Sequence, residues 1–297
     1  MTDNARGALL MVAAMAAFVV SDSFMKLLGE ELPLFQAIFL RGLGVSAAFL
    51  LLAWRLGALC WPAARDRGLI GLRVLAECAA AGFFLTALFN MPLANATAIL
   101  QSLPLAMTVA GAFLLGEKVG IRRITAVLVG FCGVMLIVRP GAEGFSVYSL
   151  LALAAVLAVT LRDVVTRLLS SSVPSLLVAC VTSVGVTIFG GLASIPFDWV
   201  PPSPRAVLLL AGTSITLIAA YLLSVMTIRA GEVSFVAPFR YTGLVWALAL
   251  GYLLFGDWPD GLTLLGAAVV VAAGSFTLWR AGRKGAAAAS PEDVPRH

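Results

Sequence analysis

Two acid–base pairs spaced four residues apart interrupt the most apolar parts of this chain: Asp22 with Lys26, and Asp163 with Arg167. On a helix this spacing puts both side chains on one face, with the acid first, the more favourable order for a pair within one helix. Such a pair can simply neutralise itself while the cation snorkels toward an interface. It can also serve as one half of an ionic latch that forms in one state and breaks in another. Arg41 has no acid at helical spacing, so its expected partner is Asp22 on the neighbouring segment, and Arg162 stands beside Asp163.

A second group pairs Arg73 with Glu77, again four residues apart. Glu77 is the candidate carboxylate for proton coupling, unless Arg73 holds it in a static pair that keeps it ionised. Arg240 follows Pro238, whose missing N–H disturbs a helix and frees a backbone carbonyl. It suits either a ligand carboxylate or a structural pairing with Glu77 or Asp163. Gln101, Tyr221, Tyr241 and Trp246 carry polar tips on apolar bodies. They fit a mostly apolar pocket with a few directing groups, or ordinary packing between helices.

Covalent and metal chemistry find little support. The single histidine is the last residue, His297, and Cys60, Cys78, Cys132 and Cys180 have neither metal nor disulfide spacing. These cysteines are read as small apolar fillers. No G-x-x-x-x-G-K-[ST] phosphate loop occurs. The expected chemistry is ionic recognition without catalysis, and no cofactor or metal is implied.

The elements that must position these charges are set by composition. The 297 residues are 61% hydrophobic and 12% charged, against about 45–50% and about 25% in soluble domains. Ten apolar runs are each long enough to span a hydrocarbon core of about 30 Å as a helix. They are Gly7–Leu28, Leu34–Trp54, Leu69–Phe89, Leu93–Leu115 and Ile121–Val138, then Ser146–Leu169, Pro174–Ile195, Arg205–Ile228, Val233–Phe255 and Leu262–Trp279. These are continuous runs, not the alternating strands of a barrel, so the fold class is all-α and polytopic. The first run is too long for a signal-peptide core. Residues 282–297, GRKGAAAASPEDVPRH, read as a disordered tail.

Loop charges set the expected orientation. With the N-terminus inside, thirteen Lys and Arg residues fall on the cytoplasmic side, from Arg6 to Arg296, against only Arg139 and Arg205 outside. Both termini are expected in the cytoplasm, and Trp54, Trp61, Trp199, Trp258 and Trp279 mark the interfaces. The net charge of +5 therefore reflects topology, and the expected partners are lipid and a small molecule, not nucleic acid. Ala126, Gly130 and Gly133, with Gly266 and Gly274, predict close helix packing or a subunit contact, as monomer or homodimer.

The chain also repeats itself. A shift of about 141 residues lays D-S-F-M-K-L-L from Asp22 on D-V-V-T-R-L-L from Asp163, Pro33 on Pro174, Gly44 on Gly185 and Gly133 on Gly274. A shift of 140 lays Leu115–Glu117 on Phe255–Asp257. Residues 1–140 and 141–281 thus form two five-helix halves. Five is odd, so the second half enters the membrane inverted, a design that recurs in secondary transporters.

The run P-L-A-N-A-T-A-I-L-Q-S-L-P-L (Pro92–Leu105), then F-L-L-G-E (Phe113–Glu117) and G-F-C-G-V-M-L-I-V-R-P-G ending at Gly141, resembles the EamA-type members of the drug/metabolite transporter superfamily. V-A-P-F-R-Y (Val236–Tyr241) and Y-L-L-F-G-D (Tyr252–Asp257) carry the likeness into the second half. The resemblance implies a ten-helix carrier of the bacterial inner membrane, with helices 1–4 and 6–9 around a central cavity and 5 and 10 peripheral. Family members export amino acids and cysteine metabolites, and some take up S-adenosylmethionine.

On that reading Asp22, Lys26 and Arg41 form a gate near the outer face, and Arg162, Asp163 and Arg167 a gate near the inner one. Glu77, Gln101, Tyr221, Arg240, Tyr241 and Trp246 line the cavity. The expected activity is alternating-access export of aromatic and neutral amino acids, proton-coupled or by facilitated diffusion. Uptake of an S-adenosylmethionine-like compound is the rival within transport. A non-transporting receptor or scaffold is the rival from another class.

Overall fold

Prolines place several of the helix starts. Pro33, Pro92 and Pro174 each stand immediately before a helix, where the fixed φ and absent N–H cost nothing. The computed structural model describes residues 3–114, 116, 120–139, 146–230 and 233–288. Among these, ten helical segments follow in order. The first half comprises α1 (Asp3–Leu28), α2 (Leu34–Arg55), α3 (Ala64–Asn90), α4 (Leu93–Leu100 and Leu103–Leu114) and α5 (Ile121–Val138). The second half comprises α6 (Val147–Leu168), α7 (Ser175–Ser194), α8 (Pro204–Ala230), α9 and α10 (Gly261–Ala288). α9 runs through Val233–Val236, a tighter 3-10 turn at Ala237–Tyr241, and Thr242–Phe255.

Seven of these helices are long and apolar enough to cross a membrane, namely α1 to α4 and α6 to α8. α5 and α10 carry shorter apolar stretches, Ile124–Val138 and Gly261–Thr277. Large apolar side chains such as Phe113, Leu208 and Leu253 are mostly exposed. A water-soluble protein does not tolerate so much apolar surface, whereas lipid accepts it. Two boundaries depart from expectation. α3 starts earlier than Leu69, and α10 continues through residues 282–288, part of the expected tail. The expected tail residues 289–297 and the motif residues Leu115, Glu117, Pro140 and Gly141 lie outside the described residues.

The packing repeats under exchange of each helix with the one five places on. α1 packs on α8 as α6 packs on α3. α1 meets α9 as α6 meets α4, and α2 meets α8 as α7 meets α3. The pairs α2–α7, α4–α9 and α5–α10 map onto themselves. An approximate two-fold axis therefore passes between α2 and α7, where Ser46 Oγ and Thr187 Oγ1 lie 2.8 Å apart at a sequence separation of 141 residues. The close approach of α5 and α10 predicted from their small residues is present: a Cβ on Gly133 would sit 2.8 Å from the Gly266 carbonyl oxygen.

Candidate functional site

α4 and α9 are both broken near a proline, and the two breaks meet. Pro104, inside the fourth apolar run, predicts a bend in α4. The interruption falls just before it, at Gln101 and Ser102, because a proline ring clashes with the carbonyl four residues earlier. In α9, Pro238 sits in the first positions of the 3-10 turn. Gln101 Nε2 donates to the Arg240 carbonyl oxygen at 3.2 Å, joining one break to the other. Discontinuous helices of this kind sit at repeat interfaces in inverted-repeat membrane proteins, where side chains re-satisfy freed backbone groups.

A cavity of about 100 Å³ opens between α2 and α3 of one half and α7 and α8 of the other. Its polar wall holds Arg41, Arg73, Glu77, Thr182, Ser183 and Tyr221. Ile38, Val45, Phe49 and Leu217 make its apolar wall. Gly42, also in the lining, brings α2 against the Thr187 side chain of α7 with no room for a Cβ. Phe49 and Phe18 meet the Tyr221 ring edge-on, at centroid distances of 5.9 and 5.5 Å. Glu77 lies halfway along α3, about 20 Å from either end at 1.5 Å per residue.

The ion pairs differ from those suggested by spacing. Glu77 does not pair with Arg73 within 4.0 Å; its Oε2 lies 3.0 Å from Nη1 of Arg162 on α6. Arg162 also reaches Asp163 Oδ1 at 2.8 Å, forming an acid–base–acid group that ties α3 to α6. Arg73 donates from Nε to Thr166 Oγ1 at 2.9 Å and from Nη1 to Thr182 Oγ1. Lys26 does not pair with Asp22. Its ammonium caps the end of α3, donating to the carbonyl oxygens of Leu88 at 3.2 Å and Met91 at 2.5 Å, and it lies 5.3 Å from the Phe255 ring centre. The expected Asp22–Arg41 contact is not made within 4.0 Å, although each lies in the field of the other. Repacked neighbours account for these differences: helix spacing says which side chains share a face, while the facing helix decides which partner is closer.

Of the residues selected from sequence, Glu77 and Tyr221 line this cavity, and so does Arg41, first read as part of a gate. Gln101 and Arg240 lie at the junction of the breaks, and Trp246 is exposed on α9. Tyr241 is buried against Gly274 of α10, its hydroxyl without a hydrogen-bond partner among the described residues. None of these four lines the cavity. Arg162 and Asp163 bind one another beside the cavity, at the α3–α6 contact, and Arg167 lies one turn further along α6. Thr182 and Ser183 were not anticipated; hydroxyls within an apolar run carry little signal of their own. Cys78 and Cys180 are buried as expected, but Cys60 and Cys132 are exposed.

These features define a polytopic α-helical membrane protein built of two inverted repeats, with a charged cavity between the halves. The profile of the EamA-like transporter family matches residues 5–139 and again 146–279. The chain belongs to the EamA-like transporter family. Among curated relatives, a riboflavin transporter of Vibrio cholerae is 34% identical over 64% of this chain. An S-adenosylmethionine uptake transporter of Rickettsia bellii is 29% identical over 63%. Each match spans 64% of the relative's own length. A pseudopaline exporter of Pseudomonas aeruginosa is 26% identical over 90% of this chain and 94% of its own. One solved crystal structure superposes with a TM-score of 0.66 at 21% identity, covering 94% of this chain and 98% of that one, and so shares the fold.

Proposed function

We propose that this protein is a secondary transporter that moves small zwitterionic metabolites across the bacterial inner membrane by alternating access, with amino acids as the exported class. The observation that carries this reading is the cavity between the inverted halves, which presents a carboxylate, Glu77, and two guanidiniums, Arg41 and Arg73, beside apolar walls. An amino acid offers the complementary ammonium, carboxylate and side chain. Ionisable groups inside a membrane are costly, about 2.5–3.5 kcal/mol each at a helix centre on insertion scales, and so mark substrate paths. The loop charges favour cytoplasmic termini, and monomer or homodimer is the assembly consistent with the packed α5–α10 face.

The test is counterflow into proteoliposomes preloaded with unlabelled phenylalanine, methionine, threonine, lysine or S-adenosylmethionine. Accumulation of several labelled neutral amino acids, each competed by the others, supports the reading. Silence across the panel from folded protein removes amino acids from the function. Uptake of S-adenosylmethionine is the second reading, favoured by the relatives of that description in Rickettsia. Signal for that compound alone selects it.

A further inference from the structure

Arg41 lines the cavity, yet its guanidinium makes neither a hydrogen bond nor an ion pair within 4.0 Å among the described residues. The other cavity-side cations are committed: Arg162 to Glu77 and Asp163, and Arg73 to Thr166 and Thr182. Arg240 also has no side-chain partner among the described residues, but it is exposed and lies outside the cavity. The Asp22 and Glu77 carboxylates act on Arg41 only from beyond 4.0 Å. Cations in a membrane interior rarely stand without a partner, and no described residue gives Arg41 one within 4.0 Å.

We infer that Arg41 is the receptor for the carboxylate of a small, partly apolar metabolite held in the cavity between α2, α3, α7 and α8. A guanidinium fork matches a carboxylate with two parallel hydrogen bonds. Tyr221, whose hydroxyl has no hydrogen-bond partner among the described residues, faces the same space and supplies a further donor. The apolar body of the ligand lies along Ile38, Val45, Phe49 and Leu217. Gly42 helps hold α2 at this distance by packing on Thr187. That the bound carboxylate belongs to a transported cargo rests on the transporter reading above; the binding itself does not.

The test uses labelled benzoate and its neutral isostere benzamide, with the purified full chain in detergent. Saturable benzoate binding is expected, with benzamide competing at least about tenfold less well, the worth of one charge-assisted pair. R41Q is expected to weaken benzoate by about tenfold or more and R41K by less, while R205Q, at the surface pair with Glu30 and Glu31, leaves it unchanged. Equal competition by benzamide, full affinity in R41Q, or no saturable binding would each overturn the inference. So would displacement of benzoate from R41Q as readily as from the wild type by phosphatidylglycerol, which would place the benzoate site elsewhere. The benzoate–benzamide comparison needs no variant and stands if R41Q does not fold. Counterflow separates the two readings. Binding without transport leaves the Arg41 site and removes the cargo, whereas equal transport of phenylalanine and its amide keeps the carrier and overturns the carboxylate site.

Discussion

Ser46 on α2 and Thr187 on α7 are equivalent positions of the two repeats, 141 residues apart, and their hydroxyls share a 2.8 Å hydrogen bond. Residues related by a two-fold axis touch one another only on that axis. When two inverted halves exchange conformations, a contact on the axis is carried into itself, whereas an off-axis contact is exchanged for its counterpart. Ser21 on α1 and Thr213 on α8 form such an off-axis contact, with hydroxyl oxygens 2.9 Å apart.

In a background lacking the four native cysteines, oxidation of S46C/T187C is expected to leave at least about half of the counterflow, because that pair stays together in both states. Oxidation of S21C/T213C is expected to abolish it, with reduction restoring activity. Equal inhibition by both cross-links would show that α2 and α7 separate at the axis during the cycle.

Helix number, order and the inverted repeat were legible because an apolar run of about 20 residues has few alternatives and because Pro33 and Pro174 recur in register. The register of Gly44 with Gly185 also contained the Ser46–Thr187 relation, but recognising the contact requires knowing that α2 faces α7. The pairings were not legible. Spacing made Arg73 the natural partner of Glu77, while Arg162 arrives from α6 with a direct 3.0 Å contact. Lys26 satisfied carbonyls at the end of α3, a partner no side-chain spacing announces. The break in α4 fell before Pro104 because the clash acts one turn back.

The Arg162 group should respond unequally to loss of its members. R162Q leaves Glu77 and Asp163 without the cation they share; the group is only partly buried, so the cost is expected below the about 3–5 kcal/mol of breaking a fully buried pair. E77Q leaves Arg162 still bound to Asp163, so its cost is expected to be less than half as large. Thermal unfolding of both variants in detergent checks the order. A larger loss in E77Q than in R162Q would mean that Arg73, not Arg162, depends on that carboxylate.

Gly133 and Gly266 hold α5 against α10 backbone to backbone. A Cβ at Gly133 meets the Gly266 carbonyl oxygen at 2.8 Å and Val269 Cγ1 at 2.9 Å. A carbonyl cannot rotate away as a side-chain tip can. G133A is therefore expected to lower stability by about 1–3 kcal/mol, the range for overpacking. Gly71, in open space on α3, is the matched control: G71A is expected to hold or raise stability by about 0.4–1 kcal/mol through the unfolded chain. Equal unfolding midpoints for G133A and the wild type would argue that the two helices part without cost.

Asp260 closes the near end of that helix pair, outside the apolar spans. Its Oδ1 accepts from the Thr263 backbone N–H at 2.8 Å, capping α10, and pairs with Arg139, which ends α5 in the left-handed conformation at φ 48°. The Arg139 guanidinium and then the Thr263 N–H hold the Asp260 carboxyl at a pKa of about 2, below its ordinary 3.8. The contribution of its charge is therefore fully present above about pH 4 and is lost as the pH falls toward 2. It is small, about 1 kcal/mol at most, because the side chain is 56% exposed and solvent screens the pair. D260N keeps a capping oxygen and loses only the charge, whereas D260A loses both, with about 1 kcal/mol for the cap alone. Unfolding midpoints at pH 7 should fall in the order wild type, D260N, D260A. On lowering the pH from 5 to 3, the gap between wild type and D260N should narrow. A gap that stays constant over that range would place the stabilisation in the neutral cap and not in the Arg139 pair.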